Sequence, residues 1–183
     1  MGLEIQSQGS TSPKTAGSNW AWDYLVILGL IGIVFVVFGL PMLLGWLDLA
    51  AIWSDRTLSD VAITVLTVIP TLVYFTATEA GPRHATWGKR KSGLRVAADG
   101  EPLVGAALVR NIVKLLPWQF GHLAATRFAT APEATTSATV FFVVSMVLLA
   151  AVALPPLFGK RGLHEVASGT TVVPADQPAS TPV

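Results

Sequence analysis

From residue 24 to residue 47 the chain carries no charged side chain. At a rise of about 1.5 Å per residue, a helix of that length crosses a hydrocarbon layer of about 30 Å with some tilt. A second charge-free run covers residues 61–78 and a third covers residues 137–159. Helices this apolar could be buried in a soluble protein only if much polar protein surrounded them. Here 183 residues are 52% hydrophobic and 13% charged, whereas soluble domains carry about 25% charge. The expected fold is therefore all-α: a polytopic integral membrane protein with three transmembrane helices near 24–47, 61–78 and 137–159. Trp20, Trp22 and Tyr24 at the start of the first run, and Trp46 and Trp53 at its end, suit the aromatic belts of the two interfaces. Pro41, Pro70 and the pair Pro155 and Pro156 are expected to kink or end their helices.

Outside a domain spanning residues 20–173, the chain reads as two polar tails. Residues 1–19 are rich in Ser, Thr and Gly, and residues 174–183 contain Pro174, Pro178 and Pro182, so both are expected to be disordered. Orientation follows from basic residues in short loops. Between the first two runs lie Asp48, Asp55, Asp60 and one base, Arg56, whereas Arg83, Lys89, Arg90, Lys91 and Arg95 follow the second. The basic loop is expected inside the cell, and with Lys14 it puts the N-terminus inside too.

Residues 103–125 admit three readings. The segment is mostly apolar yet carries Arg110, Asn111, Lys114 and His122, which at about 100° per residue share an arc of roughly 120°. Such an amphipathic helix can lie in the headgroup layer. It can also be a fourth span with its stripe turned inward, since an unpaired charge at the bilayer centre costs at least about 2.5 kcal/mol. Pro117 breaking it midway would make it re-entrant. The balance lies with a stripe that is at least partly embedded. Its candidate partners are Asp23, Glu79 and Glu165. Three crossings would leave Glu165 outside, away from the other two; four would return it to their side.

Recognisable enzyme and cofactor signatures are missing from the sequence. The histidines, His84, His122 and His164, lie far apart, and neither a zincin motif nor a nucleophile elbow occurs. No cofactor, no metal and no catalytic role is expected. A net charge of +1 gives no drive toward nucleic acid. The expected partners are the bilayer itself, anionic headgroups facing Arg83, Lys89, Arg90 and Lys91 at roughly 1 kcal/mol per cation, and further copies of the chain or another membrane protein. Leu94, Val96 and an Asp99–Gly100 turn are expected to form a small hairpin in the basic loop.

The run Thr86, Trp87, Gly88, Lys89, three further residues, then Gly93, Leu94, Arg95 and Val96, followed by Asp99–Gly100 and Arg110–Asn111, resembles the core pattern of the RDD family of bacterial membrane proteins. Lys114 to His122, with Pro117 and Trp118 between them, is similar to a variant within that family. Arg161 to Glu165, leading to Gly169 and Thr170, is similar to its closing motif. The resemblance implies a multi-pass protein of the bacterial inner membrane, of uncharacterised function, with small-ion or proton exchange suggested for some members. Of the arginine and two aspartates in the family name, the first aspartate corresponds to Asp23. The second is replaced by Glu165, and the arginine is absent, Lys14 being the nearest base.

His122, with an ordinary pKa of about 6.5, suits proton exchange, or else serves to anchor the turn at Trp118. Asp23 and Glu165 suit either ion chemistry or structural pairing with Arg110, Lys114 or Arg161. Small-ion or proton-coupled transport is the leading functional expectation. A membrane scaffold that binds partner proteins or anionic lipid through the basic loop is the alternative.

Overall fold

The computed structural model describes residues 13–48, 50–98 and 103–176. Three segments are long and apolar enough to cross a membrane: Trp22–Leu43, Arg56–Ala80 and Thr135–Leu157. The first comprises α1 (Pro13–Val34), a π-helical turn (Phe35–Gly39) and α2 (Leu40–Leu43). A short α3 (Ala50–Ser54) leads to the second, built from α4 (Arg56–Ile63), a π-helical turn (Thr64–Val68) and α5 (Ile69–Ala80). Then come α6 (Trp87–Lys91), β1 (Leu94–Ala98), α7 (Leu103–Thr130), a 3-10 turn (Pro132–Ala134), α8 (Thr135–Leu157), α9 (Leu163–Ser168) and β2 (Thr170–Pro174).

Both π turns have a local cause. A proline ring clashes with the carbonyl four residues back and offers that carbonyl no N–H. For Pro41 and Pro70 those carbonyls belong to Val37 and Leu66, each inside the widened turn. Pro41 and Pro70 therefore loosen their helices without ending them. The pair Pro155 and Pro156 sits in the last turn of α8, which stops at Leu157.

The chain makes four passes along one bundle. Arg127 of α7 meets Asp60 of α4 at 2.8 Å, and Asn111, near the other end of α7, meets Glu79 at the end of α5 at 2.9 Å. The two therefore run antiparallel. A tight turn sends α8 back along α7, where Ser145 Oγ donates to the Pro117 carbonyl at 2.7 Å. Ile27, Val68, Phe75 and Leu115 pack between the first three passes, with Leu72, Tyr74 and Trp118 against them. The outward residues are apolar and exposed, among them Leu28, Ile33, Leu43, Val73 and Val147, as lipid contact requires.

Four expectations are corrected. Pro117 does not break its segment: α7 is continuous over Leu103–Thr130, so the re-entrant shape is excluded. The bond from Ser145 and the packing of α8 hold the helix across its missing rung. Residues 13–19, expected in a tail, belong to α1, which opens on Pro13, the residue type favoured in a first turn. At the other end, Pro174 is the last residue of β2 rather than part of a loose tail. Finally, β1 does not fold back on a local hairpin. It pairs antiparallel with β2, Leu94 opposite Pro174 and Ala98 opposite Thr170. Alternation buries Leu94 and Val96 on one face, and β2 supplies the β-branched run Thr170 to Val173 that suits a strand. Asp99 and Gly100 lie outside the described residues.

Candidate functional site

Where α5 ends, Glu79 is completely buried. A carboxylate taken out of water must be paired and hydrogen-bonded to remain charged. Three neighbours do this. Lys89 Nζ donates to Oε1 at 2.6 Å, Asn111 Nδ2 donates to Oε2 at 2.9 Å, and Arg110 Nε lies 3.4 Å from Oε2. Asn111 also ties itself to the Ala107 carbonyl, one turn back on α7, at 2.8 Å. Arg110, 2% exposed, spreads its planar guanidinium further: Nη1 donates to Thr170 Oγ1 at 2.8 Å and lies 3.6 Å from Glu165 Oε1. One arginine thus joins α5, α9 and β2 through α7, a use that suits its fork of donors. Lys114, one turn further along α7, holds its ammonium 3.7 Å from the centroid of the Phe75 ring, a cation–π contact.

Asp23 does not pair with Arg110, Lys114 or Arg161. Its carboxylate accepts from Thr86 Oγ1 at 2.7 Å and from the Gly88 backbone N–H at 2.9 Å. Thr86 caps α6, its own oxygen accepting from Lys89 N at 3.2 Å. Asp23 thus anchors the basic loop to the first pass and aims Lys89 inward. The matched pattern acquires physical reasons: Thr86 caps, Gly88 donates its backbone N–H to Asp23, and Gly93 adopts φ +65° in the turn into β1, a conformation that costs other residues. Arg95 is half-buried on β1 between Leu94 and Val96.

Lys89, expected to face lipid, is 4% exposed and belongs to Glu79. The lipid-facing assignment holds no place for it, because an uncompensated Glu79 in this position would be far costlier than one fewer surface cation. Arg83, Arg90 and Lys91 are exposed. Glu165 accepts from the Gly162 N–H at 3.1 Å, satisfying the donor at the start of α9. Its neighbour His164 is buried, with no hydrogen bond to Nδ1 among the described residues. Burial first, and then the positive charges of Arg110, Lys114 and Lys89, push the His164 pKa down to about 3. His164 is a neutral imidazole at neutral pH.

His122 stands apart from this cluster, two helical turns beyond Lys114 on α7. Its ring meets the edge of Trp118 at 5.2 Å, and its Nδ1 lies 3.5 Å from Thr67 Oγ1. No hydrogen bond joins it to Trp118, whose Nε1 is buried without a partner among the described residues. It belongs instead to a polar seam between the second pass and α7, which sequence reasoning did not identify. Thr67 and Thr64 give their hydroxyl hydrogens to the Ile63 and Asp60 carbonyls, leaving their oxygens to accept across the seam. Gln119 Nε2 donates to Thr64 Oγ1 at 2.9 Å, and the Asp60–Arg127 pair closes the far end. Asp60 Oδ1 and Gln119 Oε1 are buried acceptors with no hydrogen bond among the described residues. At about 100° per residue Gln119 lies roughly 60° and Arg127 roughly 140° beyond His122 around α7, outside the arc of the stripe, so its spacing does not reveal them. Asp60 and the threonines lie on another helix, and helical spacing along one segment cannot report a partner on another.

From Glu79 to Asp60 the seam extends about 28 Å along its helix, close to the thickness of a hydrocarbon layer. Among the described residues no three His, Asp or Glu side chains gather as metal ligands.

No curated protein and no solved structure matches this chain. The sequence model of the RDD family matches residues 19–169, a stretch that includes Asp23, Glu79 with Lys89, Arg110 and Asn111, and the seam. That match covers most of the chain, which therefore belongs to the RDD family.

Proposed function

We propose that the protein moves protons, coupled to a small ion, along the seam between the second pass and α7. One observation carries this reading: polar groups recur along that interface on either side of the apolar packing of Phe75 and Leu115, in the Glu79 cluster at one end and at His122–Thr67, Gln119–Thr64 and the Asp60–Arg127 pair toward the other, over about the thickness of the apolar layer. Ionisable groups maintained at such a cost inside a membrane commonly mark ion or proton paths. His122, between the two ion pairs with its Nδ1 3.5 Å from Thr67 Oγ1, is the group along the seam suited to exchange a proton. All four passes cross the bilayer in this reading, in the bacterial inner membrane. The end with Arg83, Arg90, Lys91, Lys160 and Arg161 faces the cytoplasm together with the N-terminus, and the end with Asp48 and Asp55 faces outward. Four helices enclose little space, so the working unit is an oligomer. The activity is transport without covalent chemistry.

Reconstitution into liposomes loaded with a pH-sensitive dye tests this. The protein is expected to dissipate an imposed proton or sodium gradient, and His122→Ala to lose that ability while retaining its thermal stability in detergent. Parent liposomes that hold the gradient as well as empty ones would overturn the reading and leave the scaffold.

A further inference from the structure

Beyond the transport seam, the loop after α5 builds a second feature on the outside of the bundle. Arg83, His84, Arg90 and Arg95 surround an open cleft of about 530 Å³, with Leu94 and Ala175 among its lining residues. That volume is within the roughly 300–1,000 Å³ typical of small-molecule sites. We propose that this cleft binds the phosphate-bearing headgroup of an anionic phospholipid.

Its position argues for a lipid. The second pass ends at Ala80, and the cleft begins two residues later, within the polar layer of roughly 5–7 Å that flanks the hydrocarbon on each side. Ile69, Val73 and Ala77 form an exposed stripe at helical spacing along α5 that leads to Gly81 at the edge of the cleft. An acyl chain lying on that stripe delivers its headgroup to the arginines.

Its walls are fixed. His84 holds φ 47°, unusual for a residue with a side chain, and is held there by bonds from its N–H to the Gly81 carbonyl at 2.9 Å and from the Val96 N–H to its carbonyl at 2.7 Å. Ala175 N donates to the Gly93 carbonyl at 2.8 Å, closing the other side. The charges of Arg83 and Arg90 are open to a ligand. Among the described residues no carboxylate pairs with Arg83 or Arg90, whereas their neighbour Lys89 is turned onto Glu79. Guanidinium groups match phosphate oxygens with paired donors.

Native mass spectrometry of the full chain in detergent, titrated with phosphatidylglycerol, phosphatidylcholine or inorganic phosphate, tests the site. Phosphatidylglycerol is expected to bind more tightly than phosphatidylcholine. Arg83→Gln and Arg90→Gln are each expected to weaken it roughly fivefold, and the pair about thirtyfold, at about 1 kcal/mol per cation. Arg56→Gln, at the opposite end of the bundle, should leave it unchanged. Should the double variant not survive purification, the exposed Arg90→Gln alone must still lose its roughly fivefold. Equal affinity for the two lipids, or unchanged binding by Arg90→Gln, overturns the proposal. So does inorganic phosphate binding as tightly as the lipid, which would make this a site for a soluble anion.

Discussion

Glu79 has no exposure and three nitrogen-bearing neighbours, and its removal reverses the balance of the cluster. Glu79→Gln strands Lys89 and Arg110 as buried cations, and breaking such a pair costs about 3–5 kcal/mol. A large fall in thermal stability in detergent is expected, and Glu79→Gln combined with Lys89→Met should recover part of it. Strict additivity of the two changes would mean that the ion pair has no energetic coupling. His164 gives a dependence on pH. Its folded pKa, near 3, lies below the unfolded value of about 6.5. Between those values the unfolded chain binds a proton that the folded chain does not, so this residue's contribution to stability is intact above pH 6.5 and declines as pH falls toward 3. The slope is at most about 1.4 kcal/mol per pH unit. The melting temperature is expected to drop between pH 7 and pH 5, and His164→Gln to flatten that drop.

At the scale of elements, α7 organises the molecule. It carries Arg110, Asn111 and Lys114 to one end and Arg127 to the other, and this requires it to remain unbroken through Pro117. The Ser145 bond to the Pro117 carbonyl contributes to that continuity. Hydrogen bonds between membrane helices average about 0.6 kcal/mol, so Ser145→Ala should cost about that much in a steric-trap or denaturant titration without altering topology. A shift of several kcal/mol would mean that the bond maintains the helix itself. The motif that reveals the family was legible in the sequence, but the burial of its lysine was not. Residue spacing placed Lys89 in a basic loop beside Arg90 and Lys91, and only the cap made by Asp23 and Thr86 sets which of these cations faces Glu79.

For the molecule as a whole, the number of crossings is the property most open to test. The chain has no cysteine, so single cysteines report location cleanly. Arg90→Cys and Lys160→Cys should react with an impermeant thiol reagent from the same side of sealed vesicles, and Asp55→Cys from the other. Labelling of Arg90→Cys and Lys160→Cys from opposite sides would mean three crossings and overturn the four proposed. Three spans were readable because a run without charge is a local property that one helix displays alone. The fourth pass was not, because Arg110, Asn111 and Lys114 suit a surface stripe as well as a buried one until Glu79 and Glu165 are seen beside them.

The pairing of β1 with β2 likewise joins segments distant in sequence, and no local periodicity reports such a partner. Composition and apolar runs by themselves determined that this chain belongs in lipid, and the motif determined its family. Which charges neutralise one another, which helix stays unbroken and which cations remain outside were decided only by tertiary packing. Hydrophobicity acts on each segment separately, whereas the desolvation of a charge is offset only by a particular partner brought within a few ångströms.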